Sequence, residues 1–330
     1  MIRTRFLSTG FRVPDRVVTN HELEGMMETS DEWIRQRSGI EARRWAAEDE
    51  TGADLAESAS RMALEHAGMD ATELDCIILA TLSPDHFFPG TGVFLQRQLG
   101  VTDIPCLDVR NQCSGFLYGL SVADAWIRTG AYRRILLVGT ELHSAGLDLS
   151  LRGRDTGVLF GDGAGAVILA PTEEARGVLA VKVHADGRHA ETLWTDVPGC
   201  AHRPYITCAD IEEKHHVPAM QGREVFRHAV KRMPEAVREV LGETGLPLAE
   251  VDMVIPHQAN LRISQAVQKT LGLPDEKMYN NIQRYGNTTA ASIPIALHEA
   301  VAEGRIGDGA LVCLTAFGSG FTWGAALVRW

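Results

Sequence analysis

Apolar residues recur along the chain in two rhythms, a helical spacing and short unbroken runs, and their alternation predicts an α/β fold. Leu55, Ala59, Met62 and Ala63 mark one face of an amphipathic helix over 53–66, with Gly68 placed to end it. Runs over 74–80, 104–109 and 135–138 read as buried strands. A second helix carries Leu117, Leu120, Ala123 and Ile127 and stops at Gly130, and residues 94–99 form a shorter one. Thr29-Ser30-Asp31-Glu32 has the spacing of a capping box, so a short helix with Trp33, Arg35 and Arg37 runs to Ser38-Gly39. Apolar residues 158–160 and 166–170 flank a glycine-rich turn at 161–165.

The second half repeats this order. A helix over 225–241 ends near Gly242, and the strand 251–255 matches 74–79. Residues 267–272 echo 95–100, residues 293–304 echo 120–130, and 318–328 echo 161–170. The offsets between matched pairs are 177 (Asp75 to Asp252), 172 (Gly100 to Gly272) and 174 (Gly130 to Gly304). Two copies of one α/β unit are expected, with a period too long for a solenoid. An offset of 174 carries Cys113 to Asn287, so both are expected in equivalent strand-to-helix turns. His257 directly follows the strand 251–255, and α/β sites gather at the carboxyl ends of strands.

Composition adds limits. At 330 residues the chain can bury one large core or two packed ones. A net charge of -11 argues against broad binding to nucleic acid or an anionic membrane. The uncharged run 309–328 contains four glycines, which suits two strands and a turn better than a membrane span. Six cysteines at 76, 106, 113, 200, 208 and 313 show no metal or disulfide spacing and fit a reducing cytoplasm. The start of the chain lacks the long apolar core of a signal peptide. The His/Cys-rich stretch 184–216 matches no zinc pattern, so no metal is expected.

Cys113 is expected at a helix N-terminus, where free N–H groups and the helix dipole lower a thiol's pKa. A thiolate can hold an acyl group covalently, and a neutral imidazole and an amide can donate hydrogen bonds to an enolate. Cys113, His257 and Asn287 together therefore suit covalent acyl transfer. Each also has a plain reading: a small buried thiol, a satisfied strand end and a turn residue beside Gly286.

Several motifs in order give the chain a resemblance. They are Ser30-Asp31-Glu32-Trp33-Ile34, Cys113-Ser114-Gly115-Phe116, Gly161-Asp162-Gly163-Ala164-Gly165-Ala166, Met220-Gln221-Gly222-Arg223-Glu224-Val225-Phe226, His257-Gln258-Ala259-Asn260-Leu261-Arg262-Ile263, Gly286-Asn287-Thr288 and Phe317-Gly318-Ser319-Gly320-Phe321-Thr322-Trp323-Gly324. Through these the chain resembles the β-ketoacyl-acyl-carrier-protein synthase III family, condensing enzymes of the thiolase fold. Only about 188–218 has no match.

The resemblance implies two duplicated α/β halves packed as αβαβα layers, residues 1–172 with the nucleophile and 173–330 with the His and Asn. It implies that Cys113 takes an acyl group from an acyl-CoA primer. His257 and Asn287 then stabilise the enolate as malonyl-acyl-carrier protein or malonyl-CoA loses carbon dioxide, giving a 3-ketoacyl thioester in fatty-acid initiation. Backbone N–H groups of Cys113 and Ser319 form the oxyanion hole, with Ser319 standing where the family usually has Gly. Trp33 would stack on the CoA adenine, Arg37 would meet the phosphates with Arg152 or Arg154 assisting, and Asn260 and Phe317 join the substrate site. No cofactor is implied beyond coenzyme A as part of the substrate. A cytoplasmic homodimer is implied, with Phe88 reaching the partner's acyl pocket and an acyl carrier protein as partner. Arg227 with Lys231, and Arg262 with Lys269, form basic helix faces that suit carrier docking or are simply solvated.

Arg110-Asn111-Gln112, with Ser83-Pro84-Asp85-His86, depart from the fatty-acid initiators and look more like the alkylquinolone-precursor branch. A specialised ketosynthase with an aromatic primer therefore stands beside the initiator reading. Hydrolysis or simple acyl transfer by Cys113 and His257, and a dinucleotide oxidoreductase on the glycine runs, are the rivals of other classes.

Overall fold

In the computed structural model, which describes residues 2–330, each half of the chain builds one sheet, and the two sheets share a strand order. The first half contributes β1 (Arg3–Arg12), α1 (Asp31–Ser38), α2 (Gly52–Ala67), β2 (Cys76–Ala80), α3 (Thr91–Leu99), β3 (Cys106–Val109), α4 (Gly115–Thr129), β4 (Ile135–Glu141) and β5 (Gly163–Thr172). Its sheet runs β1-β5-β4-β2-β3, with β5 antiparallel to both neighbours and the rest parallel. The second half contributes β6 (Gly177–Ala185), α5 (Gly222–Thr244), β7 (Met253–Pro256), α6 (Leu261–Leu271), α7 (Ser292–Ala302), β8 (Leu311–Gly318) and β9 (Thr322–Arg329). The order β6-β9-β8-β7 repeats the same directions, and a parallel bridge from Val254 to Met278 stands where β3 stands in the first sheet.

Strand alternation sorts the apolar side chains into layers. Ile77, Leu79, Leu136 and Val138 point outward to Leu55, Ala59 and Ala63 of α2 and Leu95 and Leu99 of α3. Cys76, Ile78, Ile135 and Leu137 point inward to Phe116, Leu117 and Leu120 of α4. Met253, Ile255, Val312 and Leu314 of the second sheet meet the same central layer, which also holds Ile293 and Leu297 of α7. Val254, Cys313 and Leu327 face outward to α5 and α6. The result is five layers, αβαβα, and α7 is apolar on nearly every side because sheets lie above and below it. Each fully buried Leu or Ile contributes roughly 1.5–3 kcal/mol. Close approach is enforced by small residues: a Cβ at Gly139 would lie 2.3 Å from Ala290 O, and one at Gly165 would lie 2.7 Å from Ile295 N.

Several expectations from the pattern are corrected. Gly242 lies inside α5, which runs on to Thr244 and ends at Gly245, whose φ of 71° is left-handed. Gly163 already belongs to β5, so the run 161–165 is less a turn than a strand thinned for the passage of α7. Ser30, not Thr29, caps α1, accepting from Trp33 N at 3.2 Å. The strands at 74, 104 and 251 begin two residues later than their apolar runs.

The duplication register also changes. Asp75 accepts the backbone N–H groups of Arg133 and Arg134, and Asp252 accepts that of Leu311, so the 177 offset marks one shared fastening. The turns Gln112–Ser114 and Thr289–Ala291 lead into α4 and α7, and each begins with a non-glycine residue at positive φ, Gln112 at 44° and Thr289 at 39°. Those turns are 177 residues apart, so Cys113 corresponds to Ala290 and Asn287 to Arg110. The 174 offset came from the helix ends, where α7 has 11 residues against 15 in α4.

Candidate active site

The chain leaves β3 at Val109, turns through Gln112 and enters α4, which buries Cys113 between the two sheets' ends. The return strand passes so close that a Cβ at Gly318 would sit 2.8 Å from Cys113 Cβ and 3.1 Å from its N. Ser114 Oγ and Thr322 Oγ1, 2.6 Å apart, tie the two segments together. Burial pushes the Cys113 thiol up to about 12, and the Glu141 charge adds to this. The backbone N–H groups of Cys113 and Ser319 act in the opposite direction by donating to the sulfur. The expectation of a lowered thiol is therefore corrected for the resting protein: loss of water outweighs the helix N-terminus.

His257 stands at the end of β7, its backbone N–H bonded to Thr315 O at 2.7 Å. Nδ1 lies 2.7 Å from Ser292 Oγ, which also accepts the Gln258 N–H at 3.3 Å. The Ser292 hydroxyl has no other acceptor among the described residues, so it donates to Nδ1 and the neutral ring carries its proton on Nε2. Nε2 is buried and has no partner among the described residues. Burial pushes the imidazole down to about 3, which keeps it neutral.

Asn287 is clamped by its backbone, N–H to Leu159 O at 2.8 Å and C=O from Gly161 N at 3.1 Å. Its Oδ1 accepts the Thr289 N–H at 2.9 Å. That bond assigns the amide, leaving Nδ2 as a donor with no partner among the described residues. Cys113, His257 and Asn287 line one cavity of about 1180 Å³. The site thus holds one thiol and two spare N–H donors.

The same cavity is lined by Trp33, Arg37, Asn260, Arg262, Phe317 and Ser319. The Arg37 and Arg154 guanidiniums lie 4.7 and 4.2 Å from the Trp33 ring centroid. Asn260 is occupied as a clamp: Nδ2 donates to Arg37 O and Oδ1 accepts the Arg262 N–H, joining α6 to α1. Arg154 and Arg152 lie outside the cavity wall, and Arg152 donates to Glu213 O. Phe88 is 79% exposed and does not line the cavity of its own chain, whereas its neighbour Phe87 does. Of the four residues of the two basic faces, Arg262 reaches the wall; Arg227, Lys231 and Lys269 are exposed on α5 and α6, and Arg227 is bonded to Glu224.

The sequence pattern missed His143, Thr289 and Arg223 as wall residues, and Glu141 and Ser292 as their supports. It also missed the role of 188–218: Leu193, Trp194, Thr195 and Pro198 form cavity wall, and Leu193–Trp194 pairs with Ala219–Met220. The histidines of that stretch are dispersed into pairs, such as His202 with Asp196 and His215 with Asp210. Among the described residues, no three His, Cys, Asp or Glu side chains are arranged to hold a metal ion, and no helix is long and apolar enough to cross a membrane.

Known proteins match this chain throughout. A family model described as 3-oxoacyl-[acyl-carrier-protein (ACP)] synthase III matches residues 107–187, and one for the C terminal of the same synthase matches 241–330. The β-ketoacyl-[acyl-carrier-protein] synthase III of Alkalilimnicola ehrlichii is 46% identical, with 100% of each chain covered. That of Geobacillus kaustophilus is 45% identical over 98% of each. The crystal structure of 3-oxoacyl-[acyl-carrier-protein] synthase III from Aquifex aeolicus superposes with a TM-score of 0.91 at 44% identity, covering 99% of this chain and 100% of that one.

Proposed function

Because the chain belongs to the 3-oxoacyl-[acyl-carrier-protein] synthase III family, we propose that Cys113, His257 and Asn287 carry that family's reaction here. The fold is the thiolase fold, and the reaction is decarboxylative condensation of an acyl-CoA primer with malonyl-acyl-carrier protein in fatty-acid initiation. The observation that carries the residue assignment is the pairing of a cavity thiol with two unpartnered N–H donors, His257 Nε2 and Asn287 Nδ2.

The Cys113 sulfur attacks the thioester carbonyl, coenzyme A leaves with the thiol's proton, and the acyl group stays on sulfur. The N–H groups of Cys113 and Ser319, already aimed at the sulfur region, receive the carbonyl oxygen as it becomes an oxyanion. Malonyl thioester then binds, and its C–C bond breaks to release carbon dioxide. The electron pair becomes an enolate whose oxygen accepts from His257 and Asn287. The enolate carbon attacks the acyl-cysteine, forming the new C–C bond and expelling the Cys113 thiolate, which takes up a proton. Trp33, with Arg37 beside it at the mouth, offers a base-stacking face and a phosphate-binding charge to coenzyme A.

Arg262 at the mouth, with Arg227 and Lys269 on the neighbouring faces, is the docking surface proposed for the carrier protein. A homodimer joined along the free edge of β3 accounts for Phe88 and Val93, apolar and exposed near that edge. Two copies of one α/β unit, meeting after residue 172, are the reading that the repeated strand order supports. The six free cysteines suit a reducing cytoplasm.

The test follows acyl-Cys113 by intact mass after mixing with acyl-CoA, then carbon dioxide and ketoacyl product after adding malonyl-acyl-carrier protein. Ordered appearance of all three is expected. Release of free acid without a new C–C bond would replace condensation by hydrolysis.

A further inference from the structure

One buried imidazole in the cavity wall takes no part in the reaction above. His143 follows β4, with its backbone N–H on Asp162 Oδ1 at 2.7 Å and its ring 4.7 Å from that of Phe160. Nε2 lies 3.1 Å from Thr289 Oγ1 and 3.9 Å from Glu141 Oε2. Glu141 is fully buried and collects donors: Thr81 Oγ1, Leu82 N, Ser83 N and Oγ, and Ala290 N. The Thr289 hydroxyl, which Nε2 meets, lies on the same side of the ring as this carboxylate.

The carboxylate sets the imidazole's tautomer. Glu141 accepts donors from every side and has none to offer Nε2, 3.9 Å away, so the ring's proton sits on Nε2 and His143 donates to Thr289 Oγ1. Nδ1 is then an acceptor, and it has no partner among the described residues. Burial pushes the ring down to about 4, so it stays neutral in ordinary buffers. The position is close to the nucleophile, since His143 and Cys113 line one cavity and the turn of Thr289, which meets His143, packs against the turn of Cys113.

We infer that His143 is a specificity contact for the primer, its Nδ1 accepting a hydrogen bond from a hydroxyl or arylamine carried on the acyl group. An alkyl chain seated there leaves a polar atom desolvated and unpaired, whereas a donor-bearing chain satisfies it. A single such contact discriminates by about ten- to a hundredfold. This inference rests on the reading of Cys113 as the acylated nucleophile.

The experiment offers the protein equimolar 3-hydroxybutyryl-CoA and isovaleryl-CoA, which differ by a hydroxyl in place of a methyl, and reads acyl-Cys113 by mass on the proteolytic peptide that carries it. 2-Aminobenzoyl-CoA against 2-methylbenzoyl-CoA is the aromatic pair, and acetyl-CoA is the control. At least about tenfold preference for the donor-bearing member of one pair is expected, falling to parity or reversing in His143→Leu. Equal or inverted preference in the unaltered protein, with acetyl-CoA still acylating Cys113, overturns the role of His143 alone. Acylation by none of the thioesters overturns the condensing reading and this inference with it. The wild-type ratio decides the matter even where His143→Leu fails to fold.

Discussion

The backbone N–H of Thr289 donates to Asn287 Oδ1 at 2.9 Å, and this one bond decides which end of the amide is free. Asn287→Asp keeps an acceptor for Thr289 and removes the Nδ2 donor, placing a negative charge where the enolate forms. Acylation of Cys113 is expected to persist while condensation falls by about 10²–10³. Single-turnover mass spectrometry separates the two steps. Equal loss of both would remove Asn287 from the decarboxylation step.

Ser292 does for His257 what Thr289 does for Asn287, through the 2.7 Å contact to Nδ1. Ser292→Ala frees the ring to take the other tautomer and leaves the Gln258 N–H unpaired. Condensation is expected to drop by about tenfold to a hundredfold, with recovery in Ser292→Thr, which restores the hydroxyl. A nitrogen-15 spectrum of His257 reads the tautomer directly. An Nε2-protonated ring in Ser292→Ala would show that the serine is not what sets it.

Much of this candidate site was legible in the sequence, because its residues stand in turns with characteristic neighbours. Cys113, His257 and Asn287 each stand beside a glycine or a strand end that the pattern marks, and all three line one cavity. His143 was not legible: it follows a strand in a segment with no periodicity, and its chemistry comes from Thr289, 146 residues away. The wall formed by 193–198 escaped for a related reason, since irregular backbone carries no repeat to read. The repeated order of elements was visible, yet its register was not, because helix ends drift while the fastenings at Asp75 and Asp252 do not.

Buried histidines make stability depend on pH, and His298 acts in the same sense as the two in the cavity wall. His257 and His143 have folded values pushed down by burial to about 3 and about 4, against 6.5 when solvated. Between those values the unfolded chain binds more protons than the folded one, so stability rises with pH up to about 6.5 and falls on acidification. At pH 5.5 each histidine costs about 1.4 kcal/mol relative to neutral pH. Denaturant unfolding at fixed protein concentration, compared at pH 7.5 and 5.5, is expected to lose about 3 kcal/mol through these two rings, and His143→Leu is expected to shrink the difference by about 1.4 kcal/mol. No change between the two pH values would mean that both rings gain protons without unfolding.

Arg43 is fully buried and donates to Val18 O, Asn20 Oδ1 and Val158 O, fastening the segment before α1 to the cavity wall at Val158. Burial pushes its guanidinium down to about 10, still protonated at neutral pH. Arg43→Ala leaves those acceptors unpaired and opens a void, so a loss of about 3 kcal/mol or more is expected. Arg43→Met fills the void but pairs nothing, and is expected to recover only part of the loss. A thermal melt with both variants distinguishes packing from hydrogen bonding: equal losses would place the whole effect in the lost bonds.

Gly318 has no room for a side chain, since a Cβ there would lie 2.8 Å from Cys113 Cβ and 3.1 Å from its backbone N. Relief comes only by moving β8 away from the turn at Gln112–Ser114, which carries the Ser319 N–H away from the sulfur it faces. An oxyanion donor displaced by about an ångström is as good as deleted, because hydrogen bonds weaken steeply with misalignment. Gly318→Ala is therefore expected to slow acylation of Cys113 by about 10²–10³. The contrast with Asn287→Asp is the check, because the glycine acts on the first step and the asparagine on the second. Pre-steady-state release of coenzyme A reads that first step alone. Normal release in a folded Gly318→Ala variant would mean that the oxyanion sits elsewhere than between Cys113 N and Ser319 N.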